Sequence, residues 1–144
     1  MAQNPFQRVE DTFGRMIMLA GAPSKPMQEI AVVFGSSILE NFRQGGIPDK
    51  WQMSNRAKKQ NGMTLIDSGR LMKSASTPQV QGDKIILGSN LPYARVHQLG
   101  INKEVTFGDK MRKMFLPARR FLVLQQNNYD TAGKIFLRFL TTGN

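Results

Sequence analysis

The single histidine of this 144-residue chain, His97, is the side chain best suited to acid–base chemistry near neutral pH. It follows Tyr93 by four positions, so on a helix the two rings would share one face. Acid–base catalysis would also need a serine nucleophile motif, a paired carboxylate or a second histidine, and the sequence places none of these beside His97. We therefore expect Tyr93 and His97 to hold a short helix in place by stacking and hydrogen bonding.

Two other short patterns that could carry chemistry are incomplete. The run Asp67-Ser68-Gly69 lacks the nucleophile elbow of hydrolases, and Gly45-Gly46 lacks the lysine and serine that continue a phosphate-binding loop. Because the chain has no cysteine and one histidine, it can form no disulfide, no thiolate metal site and no conventional zinc site. The sequence predicts no catalytic residue, no cofactor and no metal, and so a protein that is not an enzyme.

Helix signals surround the histidine and recur at both ends of the chain. Pro92 suits the first turn of a short helix that carries His97, and Gly100 suits a left-handed residue just past its end. Apolar residues at helical spacing, expected to be core, predict three longer helices: about 5–20, from Ser24 or Pro26 to Gly45, and about 128–141.

Short elements are predicted between the long helices. Ser54 can cap one short helix, and Asp67 or Ser68 can cap another that carries Leu71. Trp51 is expected to plug the end of the core rather than to anchor an interface. Turn residues and β-branched runs predict two hairpins: one at 74–80 and 84–88 with its turn at 81–83, and one at 105–107 and 114–116 with a basic tip at 108–113.

The chain length and hydropathy predict one domain over residues 1–144. Its parts are a helical segment of about 1–45, a sheet and motif region of about 65–125, and the C-terminal helix. No apolar run approaches the roughly 20 residues that cross a bilayer, and the N-terminus lacks the plan of a secretion signal. We expect a protein that is cytoplasmic when made and has no membrane partner.

Positive charge is concentrated in two segments of a chain whose net charge is +10. Residues 50–73 and residues 95–120 each carry an excess of five basic residues. Such patches favour an acidic partner, either nucleic-acid phosphate or the carboxylates of another protein, although a solvated face is an equally good explanation. The candidate partner contacts are Arg56, Lys58, Lys59, Lys110, Arg112 and Lys113.

Three segments, in this order and spacing, resemble the phage virion morphogenesis family of tail-completion proteins from Mu-like and related phages and prophages. They are 67–71 (Asp-Ser-Gly-Arg-Leu), 93–100 (Tyr-Ala-Arg-Val-His-Gln-Leu-Gly) and 117–122 (Pro-Ala-Arg-Arg-Phe-Leu). The resemblance covers roughly residues 45–140, and Arg120 stands where the family pattern has proline. The matched positions are Gly69, Leu71, Tyr93, Ala94, His97, Gly100, Pro117, Arg119 and Phe121.

The resemblance implies an α+β fold, with a small antiparallel sheet packed by a long amphipathic helix and with N- and C-terminal helices. It also implies a structural protein of the phage neck or tail that joins head to tail as a ring of identical subunits, taken as a hexamer. The implied partners are further copies of the chain, the head–tail connector and the tail tube or tail terminator, with DNA passing through the lumen. Its implied location is the virion, and the host cytoplasm during assembly.

Each matched residue also has a simple structural explanation. Gly69 and Gly100 would supply backbone conformations at positive φ, where a side chain clashes. Arg119 could bridge to a neighbouring segment or subunit through its planar guanidinium, and Phe121 would be core. The alternative function is a basic nucleic-acid-binding protein that uses non-specific phosphate contacts, since no recognised helix-turn-helix, zinc module or aromatic-basic sheet motif is present.

Overall fold

Three long helices carry most of the regular structure, as the apolar spacing predicts. The computed structural model describes the backbone of residues 5–144 and the side chains of residues 11–144. Helix α6 begins slightly before the predicted residue 128 because Gln125 and Asn128 form a capping box that starts it earlier. The long helices are α1 (Pro5–Ala20), α2 (Ser24–Gln44) and α6 (Gln126–Thr142).

The remaining elements are short. The strands pair as two separate antiparallel hairpins, β1 with β2 and β3 with β4. The α+β class is therefore confirmed, with its strands divided between two small sheets. The short elements are α3 (Asn55–Gln60), α4 (Arg70–Ala75), β1 (Gln79–Gln81), β2 (Lys84–Ile86), α5 (Ala94–Leu99), β3 (Ile101–Phe107) and β4 (Lys110–Leu116).

The chain divides into two compact units, so the expected single domain stays a prediction. The first unit contains the N-terminal segment through Phe34, together with Pro78–Ile86 and Gln125–Asn144. The second contains Gly35–Thr77 and Leu87–Leu124, and it holds all three segments of the family resemblance. No helix in the described part of the chain is long and apolar enough to span a membrane.

Helix contacts organise the first unit. Ile30 and Ala31 are buried, as are Ile135 and Phe139 of α6. Arg138 and Glu29 form an ion pair at 2.6 Å. One expectation is wrong here: Phe13 and Ile17, predicted to be core, are 62% and 73% exposed. The predicted core residues Phe6 and Val9 of α1 lie outside the described side chains.

The core of the second unit is built around aromatic rings. Phe42, at the end of α2, packs on Phe121 with ring centroids 5.4 Å apart and on Trp51 at 5.6 Å. Trp51 is half-buried against this core, and its indole N–H donates to the carbonyl oxygen of Arg120 at 3.2 Å. It closes the core's edge, as expected. The buried members are Ile38, Phe42, Leu71, Ala75, Ala94 and Phe121.

The β3–β4 hairpin is longer than the sequence predicts. Its register pairs Ile101 with Leu116 at one end and Phe107 with Lys110 at the other. Gly108, at φ 60°, and Asp109 make the tight turn. Most of the predicted basic tip, residues 108–113, is therefore strand, because a two-residue turn leaves Lys110 onward free to pair.

Candidate functional site

The three segments of the family resemblance converge on one cavity of the second unit. Its volume is about 640 Å³. The walls come from residues of four stretches of the chain: 52–56, 65–71, 93–97 and 115–119. In the third stretch, the residues that line the cavity are Tyr93 and His97. Of the nine matched positions, the cavity is lined by Gly69, Leu71, Tyr93, His97, Pro117 and Arg119. The others, Ala94, Gly100 and Phe121, lie behind it.

Arg119 is the most deeply placed charge in the cavity wall, with 4% of its surface exposed. Its Nε donates to the carbonyl oxygen of Gln52 at 3.0 Å, and its backbone N–H donates to the carbonyl oxygen of His97 at 2.7 Å. Burial lowers the pKa of this guanidinium from its ordinary value, yet an arginine stays charged at neutral pH. Arg119 thus bridges to a neighbouring segment and still presents a cation to the cavity.

His97 lies beside Arg119 and beneath Tyr93. The Tyr93 and His97 rings meet edge to face, with centroids 6.1 Å apart, so both rings lie on one side of α5. Burial, and secondly the positive charge of Arg119, lower the pKa of His97 below its ordinary value of 6.5. The imidazole is therefore neutral at neutral pH. Its Nδ1 is buried and has no hydrogen-bond partner among the residues that the structure describes.

Gly69 begins α4 on the cavity wall. Its φ of 77° lies in the left-handed region, as expected for this glycine. The predicted cap by Asp67 or Ser68 needs correction: Gly69 is itself the N-cap residue, and the Ser68 hydroxyl lies 3.5 Å from the Arg70 N–H. The left-handed backbone at Gly69 turns the chain after Ser68, and helix α4 begins at Arg70. Leu71 then points into the core.

Gly100 ends α5 behind the cavity. Its φ is 74°, as the position after the helix suggested. A Cβ placed there would lie 2.8 Å from both the Ala118 nitrogen and the Leu116 oxygen. The glycine is thus required twice, for its own backbone conformation and for the close approach of the 116–118 backbone. This approach places Pro117 and Arg119 against α5.

Arg56, one of the candidate partner contacts, is bonded within the chain. Its Nη2 donates to the carbonyl oxygens of Met63 and Ile66 at 2.8 and 2.9 Å, and its Nη1 lies 3.5 Å from the carboxylate of Asp67. Arg56 therefore fixes the loop on the cavity's edge, together with the Ile66 N–H, which donates to the Met63 carbonyl at 3.3 Å. Lys58 and Lys59 on α3 are exposed, as are Lys110, Arg112 and Lys113 on β4.

The side-chain amides of Gln98 and Asn41, neither of which was predicted from the sequence, hold the segments around the site together. Gln98 accepts hydrogen bonds from the backbone N–H groups of Phe121 and Leu122 at 3.0 and 3.1 Å. Asn41, which is 1% exposed, donates to the Phe121 carbonyl at 2.9 Å and accepts from the Ile47 N–H at 2.7 Å. Gln98 lies inside a matched segment, so that pattern could have identified it. Asn41 carries no such signal.

The cavity combines positive charge with apolar wall. Arg56, Arg70 and Arg119 line it against one carboxylate, Asp67, so it is net positive. Apolar walls from Leu65, Phe115 and Leu116 accompany these charges. Among the described residues, no group of three histidine, cysteine, aspartate or glutamate side chains could hold a metal ion.

The chain is similar in sequence to known proteins. The model of the phage virion morphogenesis family matches residues 5–140. The Mu-like prophage FluMu G protein 2 of Haemophilus influenzae is 31% identical over 121 residues, which are 84% of this chain and 80% of that protein. No solved structure matches the chain significantly. The chain therefore belongs to the phage virion morphogenesis family.

Proposed function

We propose that this protein is a tail completion or neck component that joins the phage head to the tail as a ring of identical subunits. The observation that carries the proposal is the family match over residues 5–140, which gives the chain a structural role in virion morphogenesis. The cationic cavity and the exposed β3–β4 hairpin support an assembly role, since both could contact a partner. The protein would reach the neck or tail of the virion from the host cytoplasm.

The β3–β4 hairpin supplies the surface for the next layer of the particle. Residues directly opposite in an antiparallel pair share a face, so the register separates its charges. One face carries Lys103, Lys110 and Arg112 with no acidic residue, whereas on the other face Lys113 lies opposite Glu104. The basic face is the part suited to acidic surfaces of the connector or the tail tube.

Charge reversal on that face tests the contact. In the phage that encodes this chain, the double variant Lys103→Glu with Arg112→Glu should leave complete heads and tails that do not join, because the basic face would repel its acidic partner. Lys134→Glu, an exposed change on α6, is the control and should give joined particles. Normal joining in the double variant would remove the hairpin from the proposed contact.

Loss of the gene product tests the function itself. Electron microscopy of lysates lacking the protein should show separate filled heads and tails, and a labelled copy should lie at the head–tail junction. Particles of ordinary shape and infectivity assembled without the protein would end the proposal.

The basic hairpin face also favours a second candidate, non-specific binding to nucleic-acid phosphate. In that case the purified subunit should bind duplex DNA of any sequence, with an affinity that falls steeply as salt rises. Tight binding by a monomer favours this alternative. Weak binding that appears only with the assembled ring favours DNA passage through the proposed neck.

A further inference from the structure

Arg119 has no carboxylate partner among the described residues. None of the ion pairs there involves it, and its side chain makes one hydrogen bond, from Nε to the Gln52 carbonyl. Its terminal guanidinium nitrogens are not sealed inside the protein, so they can bind a group that enters the cavity. The neighbouring His97 Nδ1, buried and unpaired within the described chain, adds a second polar atom with no internal partner. The cavity is therefore built to receive a polar group.

The order of charges in the cavity indicates what that group belongs to. Arg119 lies deep, whereas the Asp67 side chain is 76% exposed at the edge. Leu65, Phe115 and Leu116 add apolar wall to the same cavity. A recess of this size cannot admit the rod of a DNA duplex, and its apolar surface fits protein side chains better than phosphates. The fitting ligand is a peptide turn with an apolar residue, a carboxylate and then a cation.

The tip of the β3–β4 hairpin carries these residue types in the same order, apolar, acidic and then basic. Its tip reads Phe107-Gly108-Asp109-Lys110, all exposed, with Phe107 at 57%. Met111 and Phe115 on the shaft are 69% and 66% exposed. A two-stranded hairpin with both faces in solvent is only marginally stable by itself, so this arm is suited to packing on a neighbour.

The tip and the cavity cannot meet within one subunit. Phe115 and Leu116 at the base of the hairpin line the cavity, and seven-residue strands place the tip about 20 Å away. A chain that carries a projection and its complementary recess at separate places makes head-to-tail contacts. Such contacts generate rings when the rotation closes.

We propose that the hairpin tip of one copy inserts into the cavity of the next copy. Asp109 pairs with Arg119, Lys110 pairs with Asp67 at the edge, and Phe107 packs on the apolar wall. This inference rests on the proposed function in one respect, that the chain assembles as a ring. It adds the two surfaces through which neighbouring copies meet, which are the hairpin tip and the cavity. It leaves the basic hairpin face, apart from Lys110, directed at other layers.

Cysteine cross-linking tests the insertion directly, because the natural chain has no cysteine. The variant Lys110→Cys with Asp67→Cys places a thiol at each end of one proposed ion pair. A lysine–aspartate pair can hold the Cα atoms farther apart than the roughly 7 Å that a disulfide allows, so a bismaleimide joins the two thiols. Phage particles that contain this variant, once treated with the bismaleimide, should give a ladder of linked subunits on a denaturing gel. The matched control is Lys84→Cys with Asp67→Cys, since Lys84 follows the same Gly-Asp turn in the β1–β2 hairpin. Particles without a ladder, or an equal ladder from the control, would overturn the insertion.

Neutralising the tip provides a second test that does not depend on cross-linking. Asp109→Asn removes the carboxylate offered to Arg119 and should lower incorporation of the protein into particles about tenfold or more. Asp83→Asn makes the same change on the other hairpin and should have no effect. Equal incorporation of both variants contradicts the proposed pair. A labelled copy shows where the protein lies in particles whether or not the hairpin tip is inserted. Failure of the insertion is therefore distinguishable from failure of the neck assignment.

Discussion

Gly100 shows how one residue controls the cavity wall. Gly100→Ala should destabilise the fold by about 2–3 kcal/mol, because alanine is strained at positive φ and its Cβ would meet two backbone atoms. Chemical denaturation with a fluorescence readout of Trp51 measures the change. Gly88→Ala is the matched control: its Cβ would meet nothing within 4 Å and its φ is not positive. It should stay within about 1 kcal/mol of the natural protein.

His97 makes the stability of the protein depend on pH. Its folded pKa lies below 6.5 because of burial and Arg119, while in the unfolded chain it returns to the ordinary value. As the pH falls through 6.5, the unfolded chain takes up a proton that the folded chain does not, so the free energy of unfolding decreases. The decrease ends below the folded pKa, where both states are protonated.

Urea unfolding between about pH 7.5 and pH 5.5 measures this effect, and His97→Gln is the control because glutamine does not titrate. We expect a flatter profile for the variant. An identical slope in both proteins would mean that groups other than His97 cause it.

The matched residues separate what a sequence can predict from what it cannot. The positive φ of Gly69 and Gly100 follows from local turn chemistry, and the Tyr93–His97 pairing follows from helical spacing. The partner of Arg119 does not, because the Gln52 carbonyl lies far along the chain and a backbone oxygen has no sequence signature. That the matched residues share a cavity is likewise a long-range property.

At the scale of elements, capping and turn residues decide where predictions succeed. The bounds of α1 and α2 follow closely from proline, serine and glycine signals. Strands β3 and β4 are longer than expected, because pairing continues through polar residues such as Asn102 and Lys113 that carry no apolar alternation. Strands β1 and β2 are shorter than the predicted 74–80 and 84–88, because helix α4 continues to Ala75. In α1, a continuous apolar stripe is wider than the surface that becomes covered, so Phe13 remains exposed.

Asn41 ties the end of α2 to two other segments. Asn41→Ala should destabilise the fold by about 3 kcal/mol, because it leaves the Ile47 N–H and the Phe121 carbonyl without their side-chain partner. Asn90→Ala, at an exposed position, should change stability by less than about 0.5 kcal/mol. Denaturant titration of both variants checks the difference, and equal stabilities would remove this amide from the framework of the site.

At the scale of the whole molecule, the second unit combines a buried aromatic core with an arm that is exposed on both faces. The residues around Ile38 and Phe42 are sealed from water, whereas β4 presents nearly every side chain to solvent. Local opening of the arm should therefore require much less free energy than opening of the core. Assembly would change this balance for the arm and not for the buried core, since the arm and the cavity gain a neighbour and the core does not.

Hydrogen exchange compared between the free subunit and assembled particles tests that difference. In the free protein, amides of Lys103–Val105 and their partners on β4 should exchange rapidly, while those of Ile38 and Phe42 remain protected. In particles the hairpin amides should slow by at least tenfold, because insertion and layer contacts bury the strands, and the core amides should not change. A hairpin that is already protected in the free subunit would show that the arm has its own stabilising contacts. One that stays unprotected in particles would show that no neighbour covers it.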